Sequence, residues 1–114
     1  MTFNNYQTNA SRTAFYPRKF KNQGLYYTGL GLAGEAGEVA NKIKKVMRDN
    51  SGNLTDEMKS VIADELGDVL WYCAGIADEL GISLDDVAKK NIKKLADRLK
   101  RDKIKGSGDN RWVL

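Results

Sequence analysis

Two short acidic pairs are where this chain could do chemistry: Glu35-Ala36-Gly37-Glu38 and Glu65-Leu66-Gly67-Asp68. In each pair the acids stand three residues apart, which on a helix puts both carboxylates on one face, one turn apart. At about 100° per residue, Glu65 falls in the middle of an apolar arc formed by Met58, Ile62, Val69, Tyr72, Ile76 and Leu80, and Asp68 lies at its edge between Val61 and Gly75. Glu35 falls close to Val46 in the arc Leu25, Leu32, Val39, Ile43 and Val46, with Glu38 one turn further along the flank. Four carboxylates aimed at one interior repel, and burying even one ionised acid unpaired costs several kcal/mol. A cation relieves both penalties. Histidine is absent and Cys73 is the single cysteine, so the donors are all oxygen, a set that suits hard ions such as Mg²⁺ or Mn²⁺. Any one acid could instead be solvated or paired with a lysine, as Glu38 with Lys42 at i, i+4. Two such pairs on successive helices, both set in apolar arcs, are much harder to explain that way.

The same composition removes Ser-His-Asp and Cys-His triads, His-rich zinc sites, CxxC redox pairs and internal disulfides. The 114 residues suffice for one domain, taken as 1–114 with an irregular tail over 107–114, and no repeat or low-complexity segment divides it. Met1 to Ser11 has neither the basic nor the apolar region of a signal peptide. The longest nearly apolar run, Val69 to Ala77, is far short of the roughly 20 residues that span a bilayer. A soluble, cytoplasmic protein with no membrane partner is expected. The net charge of +4 suits an anionic ligand and is too small to mark a nucleic-acid binder.

Positioning the acids falls to helices, because Ala, Leu, Glu, Lys and Asp recur at three-and-four spacing and Pro17 is the only proline. A short first helix is predicted over about Asn5 to Phe15, ended by Pro17. The second runs from near Asn22 to Asp49 and stops at Asn50-Ser51-Gly52-Asn53. Thr55 caps the third, with Asp56 and Glu57 in its first turn, and Gly81 ends it. Ser83-Leu84-Asp85-Asp86 opens a fourth, to about Lys103. The fold class is therefore all-α: a small bundle of three long helices plus a short N-terminal one, completed by oligomerisation.

Gly31, Gly34 and Gly37 surround the first acidic pair and Gly67 and Gly75 bracket the second, which implies close approach of a helix or a ligand. On the fourth helix the apolar arc is Leu84, Ala88, Ile92, Leu95 and Leu99; Asn91 falls inside it as a buried amide, with Lys94 and Arg98 on its shoulder. Asn91, Lys94 and Arg98 form one strip able to bind phosphate oxygens. Tyr16, Tyr26, Tyr27, Trp71 and Tyr72 are candidates for stacking on a nucleobase, most of them more readily core; Trp71 and Tyr27 are the two singled out, Trp71 facing either a base pocket or a second subunit. Gly29 to Gly34 matches GxGxxG, but no βαβ unit surrounds it. Lys89 to Lys105 holds nine basic residues against Asp97 and Asp102, the feature behind an alternative reading as a non-catalytic nucleic-acid-binding helical module.

Taken together, Gly31 to Lys42 (GLAGEAGEVANK), Glu65 to Tyr72 (ELGDVLWY) and Asn91 to Arg98 (NIKKLADR) resemble the MazG-like members of the all-α nucleoside triphosphate pyrophosphohydrolases, over about Tyr6 to Arg111. The resemblance implies hydrolysis between the α- and β-phosphates of a nucleoside triphosphate, a deoxynucleotide by preference, to give the monophosphate and pyrophosphate. It implies Glu35, Glu38, Glu65 and Asp68 as ligands of Mg²⁺, which offsets phosphate charge and acidifies an attacking water, with Glu38 as the acid that takes the water's proton. Lys42, Asn91, Lys94 and Arg98 would hold the phosphates. It further implies a homodimer or homotetramer with shared sites, and a role in cleaning or shaping a nucleotide pool in a bacterium or, for a phage protein, in the host cytoplasm.

Overall fold

The computed structural model describes residues 1–102. The end of the fourth helix at Lys103 and the tail 107–114 lie outside the described residues. Within them the fold is all-α, in the order α1 (Phe3–Ser11), α2 (Gln23–Asn50), α3 (Asp56–Leu80) and α4 (Leu84–Asp102).

Local chemistry sets these ends. Thr2 starts α1 by a reciprocal cap: its Oγ1 accepts from the Asn5 amide at 3.1 Å, while Asn5 Oδ1 accepts from the Thr2 amide at 3.3 Å. This corrects the expected span of Asn5 to Phe15. The helix begins two residues earlier because of that cap, and it has unwound into three-residue turns at Thr13 and Ala14 well before Pro17 can act. α2 ends where Ser51 (φ 52°) and Gly52 (φ 83°) enter the left-handed region and the Gly52 amide reaches back to Val46 at 3.0 Å. Thr55 Oγ1 accepts from the Met58 amide at 3.1 Å and caps α3, whose exit is Gly81 at φ 70°. Ser83 Oγ accepts from the Asp86 amide at 3.0 Å and opens α4.

α2 and α3 form an antiparallel hairpin and α1 lies across α3. The close packing is at the end of the hairpin remote from its turn, where Gly24, Thr28, Ala74, Gly75 and Ala77 are buried with Tyr16. Thr28, wholly buried, returns its hydroxyl to the carbonyls of Gly24 (2.9 Å) and Leu25 (3.1 Å) and lays its methyl against Gly75. Gln7 of α1 ties three places together: its amide nitrogen donates to Asp78 Oδ1 at 2.7 Å and to the Ile82 carbonyl at 3.0 Å, and its oxygen accepts from the Leu84 amide at 2.7 Å.

α4 departs from expectation. It touches α1 and α3 but not α2, so of the face Leu84, Ala88, Ile92, Leu95 and Leu99 only Leu84 is buried, and Ile92 is 67% exposed. Asn91, expected as a buried amide, is exposed. Periodicity identifies which face of a helix is apolar; it does not say that the same chain covers it. Leu30 and Leu66 are likewise more than half exposed, and the radius of gyration is 17.6 Å, against about 13 Å for a compact domain of this length. Among the described residues no helix is long and apolar enough to cross a membrane.

Candidate metal and nucleotide site

Facing turns of α2 and α3 bring Glu35, Glu65 and Asp68 together, one carboxylate oxygen from each lying within 4.8 Å of the others. Glu35 and Glu65 are half-buried and Asp68 is exposed, so the cluster opens on one side to solvent. Loss of solvent pushes the Glu35 carboxyl above its ordinary range, and the negative charges of Asp68 and Glu65, hydrogen bonding of its protonated form to Glu65, and the charge of Glu38 push it further. No ion pair among the described residues reaches any of the four acids; in particular Glu38 and Lys42 are not paired. The donors are three oxygens on two rigid helices, a set that fits a hard divalent cation.

The other residues singled out in the sequence fall around this cluster unevenly. Glu38 is exposed on the next turn of α2, close enough for its charge to act on Glu35 but outside the group of three. Lys42, a turn further, lines a groove of about 440 Å³ between α2 and α3 with Lys45, Val46, Met58, Val61 and Ile62. α4 makes no contact with α2, and no ion pair among the described residues joins Lys94 or Arg98 to the acids. Trp71 is half-buried: its indole N–H donates to Thr13 Oγ1 at 2.8 Å and its ring packs edge-on against Tyr16 and Tyr72. Tyr27 stacks on Tyr16 with centroids 5.0 Å apart and stays 44% exposed.

Sequence reasoning passed over Tyr72, which falls in the apolar arc of α3. Its ring lies against Gly31, where an added Cβ would overlap it. Burial, hydrogen bonding with Tyr27, and the charges of Tyr27, Glu35 and Asp68 raise its hydroxyl, so the group feels both its aromatic neighbour and the acids. The signal was divided between two helices: a glycine on one and a tyrosine on the other. The five glycines around the acids do different things. Gly31 admits Tyr72 and Gly75 admits Thr28, whereas a Cβ at Gly34, Gly37 or Gly67 would meet nothing within 4 Å.

A family model described as the MazG nucleotide pyrophosphohydrolase domain matches residues 23–101. The chain belongs to the MazG family. The match runs from the first residue of α2 almost to the end of α4 and contains all four acids. The MazG chain is 48% identical over 109 residues to the Gene 37 protein of Mycobacterium phage L5, covering 93% of this chain and 96% of that one. It is 36% identical over 72 residues to the uncharacterized protein YvdC of Bacillus subtilis (strain 168), covering 59% of this chain and 68% of that one. No solved structure matches it. Membership makes this a nucleotide pyrophosphohydrolase-type hydrolase of a family generally dependent on a divalent metal.

Proposed function

We propose that this MazG protein hydrolyses nucleoside triphosphates, deoxynucleotides by preference, between the α- and β-phosphates, adding one water across the bridging bond to release the monophosphate and pyrophosphate. The observation that carries the reading is the convergence of Glu35, Glu65 and Asp68 within 4.8 Å, with no basic partner among the described residues, inside the MazG domain. Those three would hold Mg²⁺, or Mn²⁺ in its place, with Glu38 completing the set. The cation supplies neutralisation of triphosphate charge and acidification of the attacking water. Glu38, exposed beside the cluster, is placed to accept the water's proton. The Tyr72 hydroxyl, which feels the charges of Glu35 and Asp68, can donate to a phosphate oxygen, and Lys42 can approach the far end of the chain of phosphates. Tyr27 and Trp71 offer aromatic surface to the base.

A second copy of the chain completes this reading. α4 carries Asn91, Lys94 and Arg98 away from its own α2 and leaves Ile92 uncovered, while the open side of the acids has room at Gly34, Gly37 and Gly67. A homodimer or homotetramer would cover the apolar face and bring the basic strip of one copy to the acids of another. Ile92→Glu would then lower the oligomeric mass seen by light scattering and reduce turnover with it; an oligomer and activity unchanged by that substitution would refute the shared site. Such an enzyme would work in the cytoplasm, that of the host for a phage protein, cleaning or shaping the nucleotide pool.

The test is an end-point assay of purified protein with Mg²⁺ and a panel of NTPs and dNTPs, products separated by anion exchange, with Glu38→Gln as control. Monophosphate plus pyrophosphate, lost in the control, is expected. Diphosphate plus phosphate would refute the cleavage position. No product from any nucleotide, together with salt-sensitive binding of DNA or RNA that ignores the four acids, would favour the nucleic-acid-binding module built on α4.

A further inference from the structure

Two apolar surfaces of the chain are left open, and their forms are complementary. The first is a ridge on α4. Ile92, Leu95 and Leu99 stand at i, i+3 and i+7 and span about 10 Å of the helix. Ile92 is 67% exposed and the two leucines are half-buried. The second is the groove of about 440 Å³ between α2 and α3 beside the hairpin turn, walled by Val46, Met58, Val61 and Ile62. Val61 is 39% exposed there. Along α2 the groove runs from Lys42 to Asn50, about 12 Å, so its length matches that of the ridge. Two packed helices leave between them a furrow that the ridge of a third helix fills. Neither α1 nor α4 touches α2, so among the described residues no helix of the same chain takes that place.

Charge decides which surface meets which. From Lys89 to Arg101, α4 carries seven basic residues against Asp97 alone, and both flanks of the ridge are basic, with Arg98 on one side and Lys100 on the other. Two copies of α4 laid ridge to ridge would bring these like charges together. The groove has the opposite balance. Asp49 and Glu57 line it near the turn, and Glu38 and Glu65 stand one helical turn beyond Lys42 and Ile62 at its inner end. Against those four acids it holds Lys42 and Lys45. No ion pair among the described residues reaches Glu38, Glu57 or Glu65, nor Arg98 or Lys100. Shape agrees with charge, since two grooves cannot fill each other.

We propose that the groove between α2 and α3 is the seat of α4 from a second copy of this chain. Ile92, Leu95 and Leu99 enter the groove, and the basic flanks of the helix meet Glu57, Asp49 and the acids at the inner end. The inference rests on the second-copy reading above and names the surface that receives the helix. In a two-fold dimer the contact is reciprocal: each copy gives its α4 and receives the other's. The groove leads up to Glu38 and Glu65, so the seated helix sets basic side chains of one copy beside the carboxylates of the other. A single chain therefore holds only the acidic half of the site.

The experiment places a photo-crosslinking side chain at position 92 of the full chain and maps, by mass spectrometry of the dimer-mass band, what it joins. Links to Val46, Met58, Val61 or Ile62 of the other copy are expected. Links to the other copy's α4 or to any other surface, or no link between copies, would overturn the proposal. A second measurement does not depend on that probe. Val61→Lys puts a charge into the seat beside the basic flanks and should raise the Kd of self-association, read by sedimentation, at least about 100-fold. Glu57→Lys, at the rim, should raise it only about two- to five-fold. Val61 is part-exposed in the single chain, so circular dichroism should show Val61→Lys folded as a monomer. A Val61→Lys chain that associates like the wild type would also overturn the seat. Neither readout needs turnover. A mapped seat without hydrolysis of any nucleotide would keep this inference and refute the proposed activity, whereas hydrolysis by an oligomer linked elsewhere would refute the seat alone.

Discussion

The two ends of the α2–α3 hairpin use the same residue types to opposite effect. At the end covered by α1, glycine makes room for a neighbour: Gly24 for Glu79, Gly31 for Tyr72 and Gly75 for Thr28. At the acidic level, a Cβ at Gly34, Gly37 or Gly67 would meet nothing within 4 Å, and α2 and α3 bear their cost with no packing in return from the described residues. Acids divide the same way. Glu79 has a basic partner in Arg18, whereas among the described residues Glu35, Glu65 and Asp68 have only one another. Stability in the single chain resides at the first end. The proposed binding of a cation, a nucleotide and a second copy falls at the second.

The largest effect that follows is on turnover. If the proposed cation site is right, Glu65→Gln and Asp68→Asn each exchange a charged ligand oxygen for an amide nitrogen, and since disturbing even an outer partner of a metal ligand costs 10- to 100-fold, the loss of activity should exceed about 100-fold. Relief of repulsion should leave the Tm of either variant in EDTA equal to or above that of the wild type. Circular dichroism melts beside the pyrophosphate assay check both. A variant that loses activity because it has unfolded would erase the contrast between the two ends.

Next comes a matched pair of glycine substitutions. Gly31→Ala drives a methyl into the Tyr72 ring and should cost about 1–3 kcal/mol, the usual range for overpacking. Gly34→Ala, one turn further along the same helix, meets nothing and should stabilise the chain by up to about 1 kcal/mol. Chemical denaturation of the two variants at one protein concentration measures the difference. A Gly34→Ala variant whose Tm falls, and falls further on dilution, would mean that a second chain packs at that position.

How far the sequence carried this picture follows the range of the forces involved. Helix ends were legible because caps are local: Thr55, Gly81 and Ser83 act within a few residues of themselves. The acidic pairs were legible because an i, i+3 spacing and an apolar arc belong to one helix at a time. The start of α1 is equally local, set by the Thr2 cap, while Pro17 lies too far beyond its end to define it. The contact of Gly31 with Tyr72, the path of α4 and the meeting of Arg18 with Glu79 depend on how separate helices are set against each other. Periodicity within one segment carries no information on that. Asn91 shows the distinction well: it stands in an apolar arc and is nonetheless exposed, because none of the described residues covers the arc there.

The smallest predicted effect concerns protons and separates an unpartnered acid from a paired one. The folded chain holds a proton on Glu35 more tightly than the unfolded chain does, because lost solvent and the neighbouring carboxylates raise its pKa. That contribution to stability is complete below the unfolded value of about 4.3 and is lost as pH rises through the higher folded value. Asp49 runs the other way: hydrogen bonding to Arg48 holds its carboxyl below the usual range, so its contribution is present above the unfolded value and lost as pH falls through the folded one. In EDTA, Tm should therefore decline as pH rises just above the ordinary carboxylate range, and Glu35→Gln should flatten that decline while Asp49→Asn leaves it in place. Saturating Mg²⁺ should abolish or reverse it, since a cation among Glu35, Glu65 and Asp68 takes over the proton's role and binds only the folded state. A decline that persists unchanged in Mg²⁺ would mean that the three carboxylates do not act as one cation site.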